Sequence, residues 1–461
     1  MRAIRFTLRP AAPTDDSDHD RRDPTPRQPT REPRNMAKTS LLRPLAVTAA
    51  AAVLVAGGTA PALAADQGGA TLPTPDTAGV LNALQATTGA GAPGAFAVIR
   101  DHGDDDRTRS LAVGRANLDG TPMNSAWRFR VGSNSKMFAA VLVMQLAQEG
   151  RIDLDKPLCD YLPAGTLPEG WTMTGRQVME HRAGVYDHTN DLLEQPGEET
   201  TSAFEARIRS KVYAPADLVA MSVKHGQQYA PGSRYTYSNT DFVLMGLAVE
   251  HLTGRPYADV LRERIIEPLR LKRTSFVVPH QRIAGAHITG YLTNDDRSKP
   301  LLDSTEQTGS WVWSAGAVIS SAEDLDTFLT ALMAGSSGGL VSDDSLRQME
   351  AALPTPTAKI SYGLGLRRIT LSCGDVYGHG GIVQGYQTQS FTTPDGHRSV
   401  VVFANASNNG SVTQGLMNAL EPAFCGKKPA AAPRTAFTPA ARDGGGDQGD
   451  QGLPVVEDTR I

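Results

Sequence analysis

The sequence has few cysteines and no excess of charge of either sign. Three cysteines in 461 residues cannot build a disulfide scaffold, because they allow one bridge and leave one thiol over. Lys and Arg number 45 against 49 Asp and Glu, a formal net charge of −4, which indicates neither a nucleic-acid-binding protein nor a strongly acidic chain. Hydrophobic residues make up 40%, enough for a sizeable core. These limits leave a neutral globular protein of the size of an enzyme.

Motifs for metals and nucleotide cofactors are also missing. The ten histidines include no His-Glu-x-x-His pair, and no Rossmann or phosphate-loop glycine pattern occurs. Glu180, His181 and His188 are possible metal ligands, but the sequence favours histidines satisfied within the fold. Residues 335–339 formally fit Gly-x-Ser-x-Gly, yet they follow a helix, whereas a nucleophile elbow lies between a strand and a helix. We therefore predict no metal and no cofactor.

The first 64 residues differ in composition from the rest. Residues 1–35 are rich in arginine, acidic residues and proline, which predicts disorder or a misassigned start. Residues 36–64 hold a positive segment, an apolar run and Ala62-Leu63-Ala64, the order of a secretory signal peptide cleaved after Ala64. The apolar run of about 12 residues is short of the roughly 20 that a membrane anchor needs. We expect an exported protein without an anchor.

A flexible extension over residues 429–461 is predicted by its Pro/Ala and Gly/Asp/Gln tracts, which leaves one catalytic domain over residues 67–428. Export means an oxidising compartment, so Cys373 and Cys425 could pair and leave Cys159 as a free thiol. The sequence alone does not fix that pairing.

Strand patterns occur at both ends of this domain, and helical patterns lie between them. Residues 94–100 and 109–117 alternate like antiparallel strands, and 360–405 is β-like again. Helical candidates are 76–89, 133–149, 175–182, 215–224, 240–253, 256–266, 322–334 and 412–424.

This order of elements predicts an α+β fold. One antiparallel sheet would come from residues 67–130 and 340–428, flanked by helices, with a mostly helical lobe over about 150–340. The helix over 133–149 is apolar on nearly every side, which is typical of a helix in the middle of a protein.

Ser133 and Lys136 open that central helix in the pattern Ser-x-x-Lys. The i, i+3 spacing puts both side chains on one face. A serine hydroxyl needs a base to become a nucleophile, and an apolar surrounding favours the neutral lysine amine that can accept a proton. The alternative is that Ser133 only caps the helix, because the motif is expected about once by chance in a chain of this length.

Two further patterns follow in the chain. Tyr237 and Asn239 stand two residues apart before a helix, so a phenol that relays a proton and an amide that holds a carbonyl and a lysine point the same way. His379 lies among Gly378, Gly380 and Gly381 in the late β region, where a glycine-rich strand lets a substrate backbone approach. Each pattern alone is common, and their order together indicates a catalytic site.

With these residues the sequence resembles the penicillin-recognising serine hydrolases, which have the β-lactamase/transpeptidase-like fold. Within them it is most similar to the secreted actinobacterial serine-type D-alanyl-D-alanine carboxypeptidases. The resemblance covers about residues 70–428 and rests on RFRVGSNSK, YSNTDF, DSTEQTGSW, SAGAVISSAEDLDTF, YGLGLRR and VYGHGG.

The resemblance implies a role for each matching residue. Ser133 would be the acylated nucleophile, Lys136 its base partner and Tyr237 the proton relay, while Asn239 would bind the substrate carbonyl. His379 stands where relatives have His or Lys. Arg367 would bind the terminal carboxylate, and Trp311 would line the acyl pocket. Gly380-Gly381-Ile382 would be the substrate-binding strand, and the backbone amides of Ser133 and Ile382 would form the oxyanion hole. The resemblance also implies a Cys373–Cys425 disulfide.

One departure affects the predicted specificity. The carboxypeptidases have threonine at the positions of Gly380 and Ile382, and both hydroxyls serve carboxylate recognition. Two hydrogen bonds of about 1–3 kcal/mol each would be absent. D-Aminopeptidase relatives do carry His-Gly-Gly.

The function expected from the sequence is therefore a secreted serine D-alanyl-D-alanine carboxypeptidase/transpeptidase, acting on peptidoglycan stem peptides through an acyl-serine and acylated by β-lactams. We expect a monomer without nucleic-acid partners. The alternatives are a D-aminopeptidase, amidase or esterase that uses the same site, and a β-lactam sensor that is acylated once.

Overall fold

The computed structural model describes residues 72–427 apart from 103–105, 195, 277, 280 and 281. The predicted leader over 1–64 and the predicted tail over 429–461 lie outside the described residues.

The helices of the described chain mostly fall where the sequence predicts them. They are α1 (Thr77–Gly89), α2 (Ser135–Gln148), α3 (Gly175–Met179), α4 (Thr189–Leu193), α5 (Thr200–Arg207), α6 (Pro215–Val223), α7 (Asn239–Thr253), α8 (Tyr257–Leu261), α9 (Ala322–Met333), α10 (Asp343–Glu350), α11 (Gly410–Asn418) and α12 (Leu420–Cys425). The sequence patterns did not predict α4, α5 and α10.

Three predicted helices differ from the expectation. The one predicted over 256–266 is α-helical only to Leu261 and continues as a π-helix over Arg262–Ile266. The helix predicted over 175–182 stops at Met179, because His181 adopts a left-handed φ of 57°. The helix predicted over 412–424 is divided into α11 and α12. Pro422 has no N–H to donate to the carbonyl four residues earlier, which interrupts a continuous helix.

The strands form one large sheet and two small ones. They are β1 (Gly94–Asp101), β2 (Arg107–Gly114), β3 (Phe129–Arg130), β4 (Tyr291–Leu292), β5 (Leu302–Asp303), β6 (Ile319–Ser320), β7 (Leu353–Pro354), β8 (Ile360–Tyr362), β9 (Arg367–Leu371), β10 (Gly374–Val383), β11 (Tyr386–Thr392), β12 (Arg398–Ala404) and β13 (Ala406–Ser407). The large sheet has the order β2-β1-β12-β11-β10-β9-β8-β7, with every neighbouring pair antiparallel. The small sheets are β13-β4-β5 and β3-β6.

Strands from the two ends of the domain pair directly with each other in the large sheet, as its second and third strands. Ala95 of β1 pairs with Ala404 of β12, so the predicted joining of N- and C-terminal strands is confirmed, and with it the α+β fold class. Successive residues of β12 point to opposite faces. Val400 and Val402 pack on the side of α1, α11 and α12, whereas Val401 and Phe403 pack on the side of α2 and α9.

The helix α2 is buried on all sides, as its sequence predicts. Every residue from Ser135 to Met144 is buried, and the ring of Phe138 stacks on that of Phe328 from α9 at 3.9 Å between centroids. This central position holds the beginning of α2 against the sheet. None of the helices in the described part of the chain combines the length and apolar character that a membrane crossing needs.

The Cys373–Cys425 disulfide is present, as the resemblance implies. It joins the turn between β9 and β10 to the end of α12, with 5.3 Å between the two Cα atoms. Cys159 is an exposed free thiol. The bridge therefore ties the C-terminal end of the described chain to the strand that carries His379.

Candidate active site

Ser133 lies in a tight 3₁₀ turn, Gly132–Asn134, that leads into α2. Lys136 follows in the first turn of the helix, and its Nζ donates to Ser133 Oγ at 3.0 Å. Both residues are buried. The i, i+3 spacing thus brings the two side chains together. The Ser133 hydroxyl contacts the lysine and does not cap α2.

The ammonium group of Lys136 is held by two further acceptors. Its Nζ donates to Asn239 Oδ1 at 2.7 Å and to the carbonyl oxygen of Ala315 at 3.0 Å. Each of these contacts is one that a protonated lysine can donate. The contact with Ala315 was not predicted, because a backbone carbonyl in a loop leaves no signal in the sequence.

The phenol of Tyr237 is the second group on the serine oxygen. Its OH donates to Ser133 Oγ at 2.7 Å, and the Lys136 Nζ lies 4.7 Å from the centroid of the Tyr237 ring. A nearby cation stabilises a phenolate. Lys136 and Tyr237 are therefore both placed to exchange a proton with Ser133.

Asn239 holds Lys136 from the beginning of α7. Its Oδ1 accepts from Lys136, while its Nδ2 donates to Asp187 Oδ2 at 2.9 Å and lies 3.3 Å from Thr189 Oγ1. The predicted lysine contact is formed. The donor side of the amide faces Asp187 and Thr189, so its contact with a substrate carbonyl stays a prediction. Sequence reasoning missed Asp187 and Thr189, which lie about 50 residues from Asn239.

His379 is completely buried on β10. Its Nε2 is hydrogen-bonded to the Tyr362 hydroxyl at 2.8 Å, and its Nδ1 contacts the carbonyl oxygen of Gly380. Burial, together with the positive charges of Arg367 and Lys136, holds the pKa of His379 well below its ordinary value. The ring is therefore neutral at pH 7 and adds no cation to the site.

Arg367 and Trp311 have different surroundings. Arg367, on β9, is buried, and its guanidinium carbon lies 5.7 Å from the centroid of the Tyr237 ring. The structure thus brings Arg367 next to the nucleophile cluster. Trp311 has no exposed surface, and its indole Nε1 donates to Gln307 Oε1 at 3.3 Å. Its predicted role as a wall of the acyl pocket stays a prediction.

The strand β10 has a segment that is paired on one side only. It pairs with β9 through Gly374 to Gly378 and with β11 through Tyr377 to Val383. Residues 379–383 therefore lie beyond the end of the β9 pairing, which is where an extended peptide could add as a strand.

Two glycines allow this strand to approach the turn that holds the nucleophile. A Cβ built on Gly381 would lie 3.0 Å from the Ser133 nitrogen, and one built on Gly132 would lie 2.9 Å from the Ile382 nitrogen. Gly132 also has a φ of 53°, which side chains disfavour. The backbone amides of Ser133 and Ile382, predicted to bind an oxyanion, thus belong to two segments in direct contact.

Gly380 and Ile382 have surroundings that sequence could not foresee. A Cβ at Gly380 would meet the side-chain oxygen of Gln389 at 2.4 Å, so Gln389 fills the space of a larger residue. Ile382 lines a cavity of about 280 Å³ together with the polar side chains of Gln387 and Thr413.

Histidines 181 and 188, possible metal ligands by sequence, are hydrogen-bonded within the fold. His188 Nε2 is 2.8 Å from the carbonyl oxygen of Trp311, and His181 Nδ1 is 2.8 Å from Asp241 Oδ2. Across residues 72–427, outside the gaps, no group of three or more His, Cys, Asp and Glu side chains could hold a metal ion.

Comparisons with known proteins agree with this geometry. Residues 81–423 match the β-lactamase family. A D-stereospecific amidohydrolase from Streptomyces sp. is 33% identical, with a TM-score of 0.67 over 77% of this chain and 100% of that one. The D-amino acid amidase from Ochrobactrum anthropi SV3 is 25% identical, with a TM-score of 0.64 over 75% of this chain and 98% of its own.

Curated relatives include penicillin-binding proteins and aminopeptidases. Penicillin-binding protein 4 of Amycolatopsis lactamdurans is 30% identical over 46% of this chain and 52% of its own length. A D-aminopeptidase of Cereibacter sphaeroides is 27% identical over 66% of this chain and 55% of its own length. The chain spans about half to two thirds of the length of the curated relatives it matches. The family match and the serine–lysine–tyrosine cluster together show that this chain belongs to the β-lactamase family, as a serine hydrolase related to the penicillin-binding proteins.

Proposed function

We propose that this protein is a serine D-alanyl-D-alanine carboxypeptidase that forms an acyl intermediate on Ser133 and is acylated by β-lactams. The observation that carries the proposal is the buried contact of Ser133 Oγ with both Lys136 and Tyr237, next to the buried guanidinium of Arg367. A guanidinium cation beside the nucleophile cluster suits a substrate that ends in a carboxylate.

The chemistry follows from the contacts of the serine oxygen. Before the attack, one member of the Lys136–Tyr237 pair must be deprotonated, as the neutral amine or the phenolate. That member takes the proton of Ser133 Oγ as the oxygen attacks the scissile carbonyl. The oxyanion forms beside the amides of Ser133 and Ile382, which supply two donors. Tyr237 then gives a proton to the leaving amine of D-alanine, and the C–N bond breaks. A water molecule, deprotonated through Tyr237, hydrolyses the ester, and another amine in its place gives transpeptidation.

A second candidate is a D-aminopeptidase, amidase or esterase that uses the same nucleophile. Gly380 and Ile382 favour it, because neither residue offers a hydroxyl to a terminal carboxylate. The resemblance to a D-stereospecific amidohydrolase and to a D-amino acid amidase supports the same alternative. Both candidates act on a D-configured acyl group. The carboxypeptidase releases D-alanine from an N-acylated residue, whereas an aminopeptidase or amidase acts on a residue with a free amine.

Export is part of the proposal, because stem peptides of peptidoglycan lie outside the cytoplasm. The signal-peptide pattern before Ala64 supports it. N-terminal sequencing of the protein from culture medium should give a mature end at Ala65, and a mature end before residue 60 would contradict the proposed cleavage.

The test compares leaving groups. Release of D-alanine from diacetyl-Lys-D-Ala-D-Ala is timed against hydrolysis of D-alanine amide, with Ser133→Ala as the inactive reference. Arg367→Ala should lower kcat/KM for the peptide by roughly 10- to 100-fold, the value of a charged hydrogen-bonded contact, and leave amide turnover nearly unchanged. Arg368→Ala, at the neighbouring half-exposed position, is the matched control.

Three outcomes separate the candidates. Turnover in Ser133→Ala would contradict the acyl-serine mechanism for both. Faster amide turnover with no loss of peptide turnover in Arg367→Ala would favour the amidase. A stable penicilloyl or peptidyl adduct without product release, seen by intact mass, would indicate the sensor.

A further inference from the structure

His181 holds the backbone on both sides of Tyr237. Its carbonyl oxygen accepts from the Thr236 N–H at 2.9 Å, and its Nδ1 lies 3.3 Å from the Ser238 nitrogen. The imidazole also packs on the phenol, with 4.3 Å between ring centroids. One residue therefore fixes the segment before, at and after the proton-relay tyrosine.

The backbone of His181 is itself unusual. Its φ of 57° is left-handed, a conformation uncommon for residues other than glycine. This conformation turns the chain directly after α3, so that both the carbonyl and the ring of His181 face the Tyr237 segment. Such backbone geometry is found most often where function requires it.

Asp241 holds the same imidazole from α7. Its Oδ2 lies 2.8 Å from His181 Nδ1, and both side chains are almost completely buried. The other carboxyl oxygen, Oδ1, has no hydrogen-bond partner among the described residues, and neither has His181 Nε2. The arrangement of donors and acceptors decides where the proton of this pair lies.

The Ser238 N–H points at Nδ1, so Nδ1 is an acceptor and carries no proton of its own. The proton in the 2.8 Å contact then belongs to Asp241, which is a neutral carboxylic acid that donates. An aspartate anion would instead need a proton on Nδ1, which would face the Ser238 N–H, a second donor. It would also leave a charged, buried Oδ1 without a partner. That costs more than the neutral carbonyl oxygen and the neutral Nε2–H that lack partners when Asp241 is the acid.

We propose that His181 is a positioning residue for Tyr237 and that Asp241, as a neutral acid, keeps His181 in the tautomer with its proton on Nε2. The proposal rests on the role of Tyr237 in the proposed function. It assigns to Asp241 the opposite charge state from the aspartate of a Ser-His-Asp triad, which is an anion that accepts from Nδ1–H.

The charges around the pair agree with neutral forms of both residues. Burial, with Lys136 and Arg367 nearby, keeps the pKa of His181 well below its ordinary value. Burial and the carboxylate of Asp187 raise the pKa of Asp241 well above its ordinary value, against the opposing charge of Lys136. The other titratable groups that face the imidazole are Tyr235, Tyr237, Tyr362 and His379.

Substitutions at Asp241 distinguish a neutral donor from an anion. Asp241→Ala removes the donor to Nδ1 and should lower kcat by about 10- to 100-fold with little change in KM, because Tyr237 loses its alignment. Asp241→Asn can donate from its amide and should restore most of that loss. In a triad the same substitution selects the wrong tautomer and costs about 10⁴-fold. If Asp241→Asn loses as much kcat as Asp241→Ala, the proposal is wrong.

Spectroscopy on the unmodified protein decides the same question without turnover. Nitrogen-15 NMR of labelled histidine should show one resonance set, absent in His181→Ala, with Nδ1 unprotonated and Nε2 protonated at pH 7. The infrared difference between the wild type and Asp241→Asn should contain the carbonyl band of a protonated carboxyl group. A protonated Nδ1, or the absence of that band, would overturn the proposal. Neither readout depends on the substrate. The proposed function can therefore fail, by turnover in Ser133→Ala, while the proposal for His181 and Asp241 stands, and the reverse also holds.

Discussion

Gly381 is the position where one methyl group should do the most damage to catalysis. A Cβ there would lie 2.0 Å from the carbonyl oxygen of Val131, 2.7 Å from Asn134 Nδ2 and 3.0 Å from the Ser133 nitrogen. Ordinary contact begins at 3.4 Å, so in Gly381→Ala the strand and the nucleophile turn must separate by about 1.4 Å.

That displacement sets the expected loss of activity. Misplacing a reacting group by about 1 Å costs roughly 10²-fold in rate, and overpacking of this kind costs about 1–3 kcal/mol of stability. All three neighbours of the new methyl group are backbone atoms or a buried amide nitrogen, which cannot rotate away. We therefore expect at least a 100-fold slower acylation in a protein that still folds.

Gly380→Ala is the matched control, one residue earlier on the same strand. Its Cβ would meet the end of the Gln389 side chain, which can rotate aside, so acylation should change by less than about threefold. Acylation is measured by stopped-flow binding of a fluorescent penicillin, and stability by urea denaturation. A wild-type rate in Gly381→Ala, or an equal loss in both variants, would refute the close approach of β10 to Ser133.

Two further predictions concern stability. Replacing Cys373 and Cys425 together with alanine should lower the free energy of unfolding by about 4 kcal/mol, the loop-entropy value for a sequence separation of 52, and urea denaturation that leaves the midpoint unchanged would contradict it. Burial lowers the pKa values of His181, His188 and His379 below 6.5 in the folded protein. Unfolding therefore takes up protons at acidic pH, and stability should fall as the pH drops below 6.5. Asp241 has the opposite effect on stability above pH 3.8. Its raised pKa keeps a proton on the folded protein that the unfolded chain releases. Asp241→Asn should therefore steepen the loss of stability on acidification, by up to about 1.4 kcal/mol per pH unit, and an unchanged slope in denaturation curves would argue for an anion.

The sequence predicts best what is local. Ser133 and Lys136 are three residues apart at a helix start, so their contact follows from helix geometry alone. The continuous apolar run from Val400 to Phe403 is likewise typical of a strand buried on both faces. For Tyr237 and Asn239, local geometry predicts no contact with the nucleophile. Only the order of the motifs and the resemblance they carry indicate that these residues reach the same site.

The rest of the site depends on contacts with no sequence period. Ala315 contributes a carbonyl oxygen, which every residue type has, and Asp187 meets Asn239 across 52 residues. The sequence predicts a His181 that is satisfied within the fold; its Nδ1 is hydrogen-bonded, whereas its Nε2 has no partner among the described residues. Its link to the Tyr237 segment spans 57 residues, and only the left-handed turn after α3 creates it.

The pairing of β1 with β12 has a consequence for how the chain reaches this structure. The Gly94 amide bonds to Asn405 Oδ1, 311 residues away, so β1 cannot join the sheet until nearly the whole domain has left the ribosome. Contacts of such long range are slow to form, because the entropy of a very large loop is lost before any pairing is gained. The strands β7 to β11 pair with one another without β12, so they can form before β1 and β2 join the sheet. A chain cut short before β12 would leave β1 and β2, which reach β11 only through β12, without a place in that sheet.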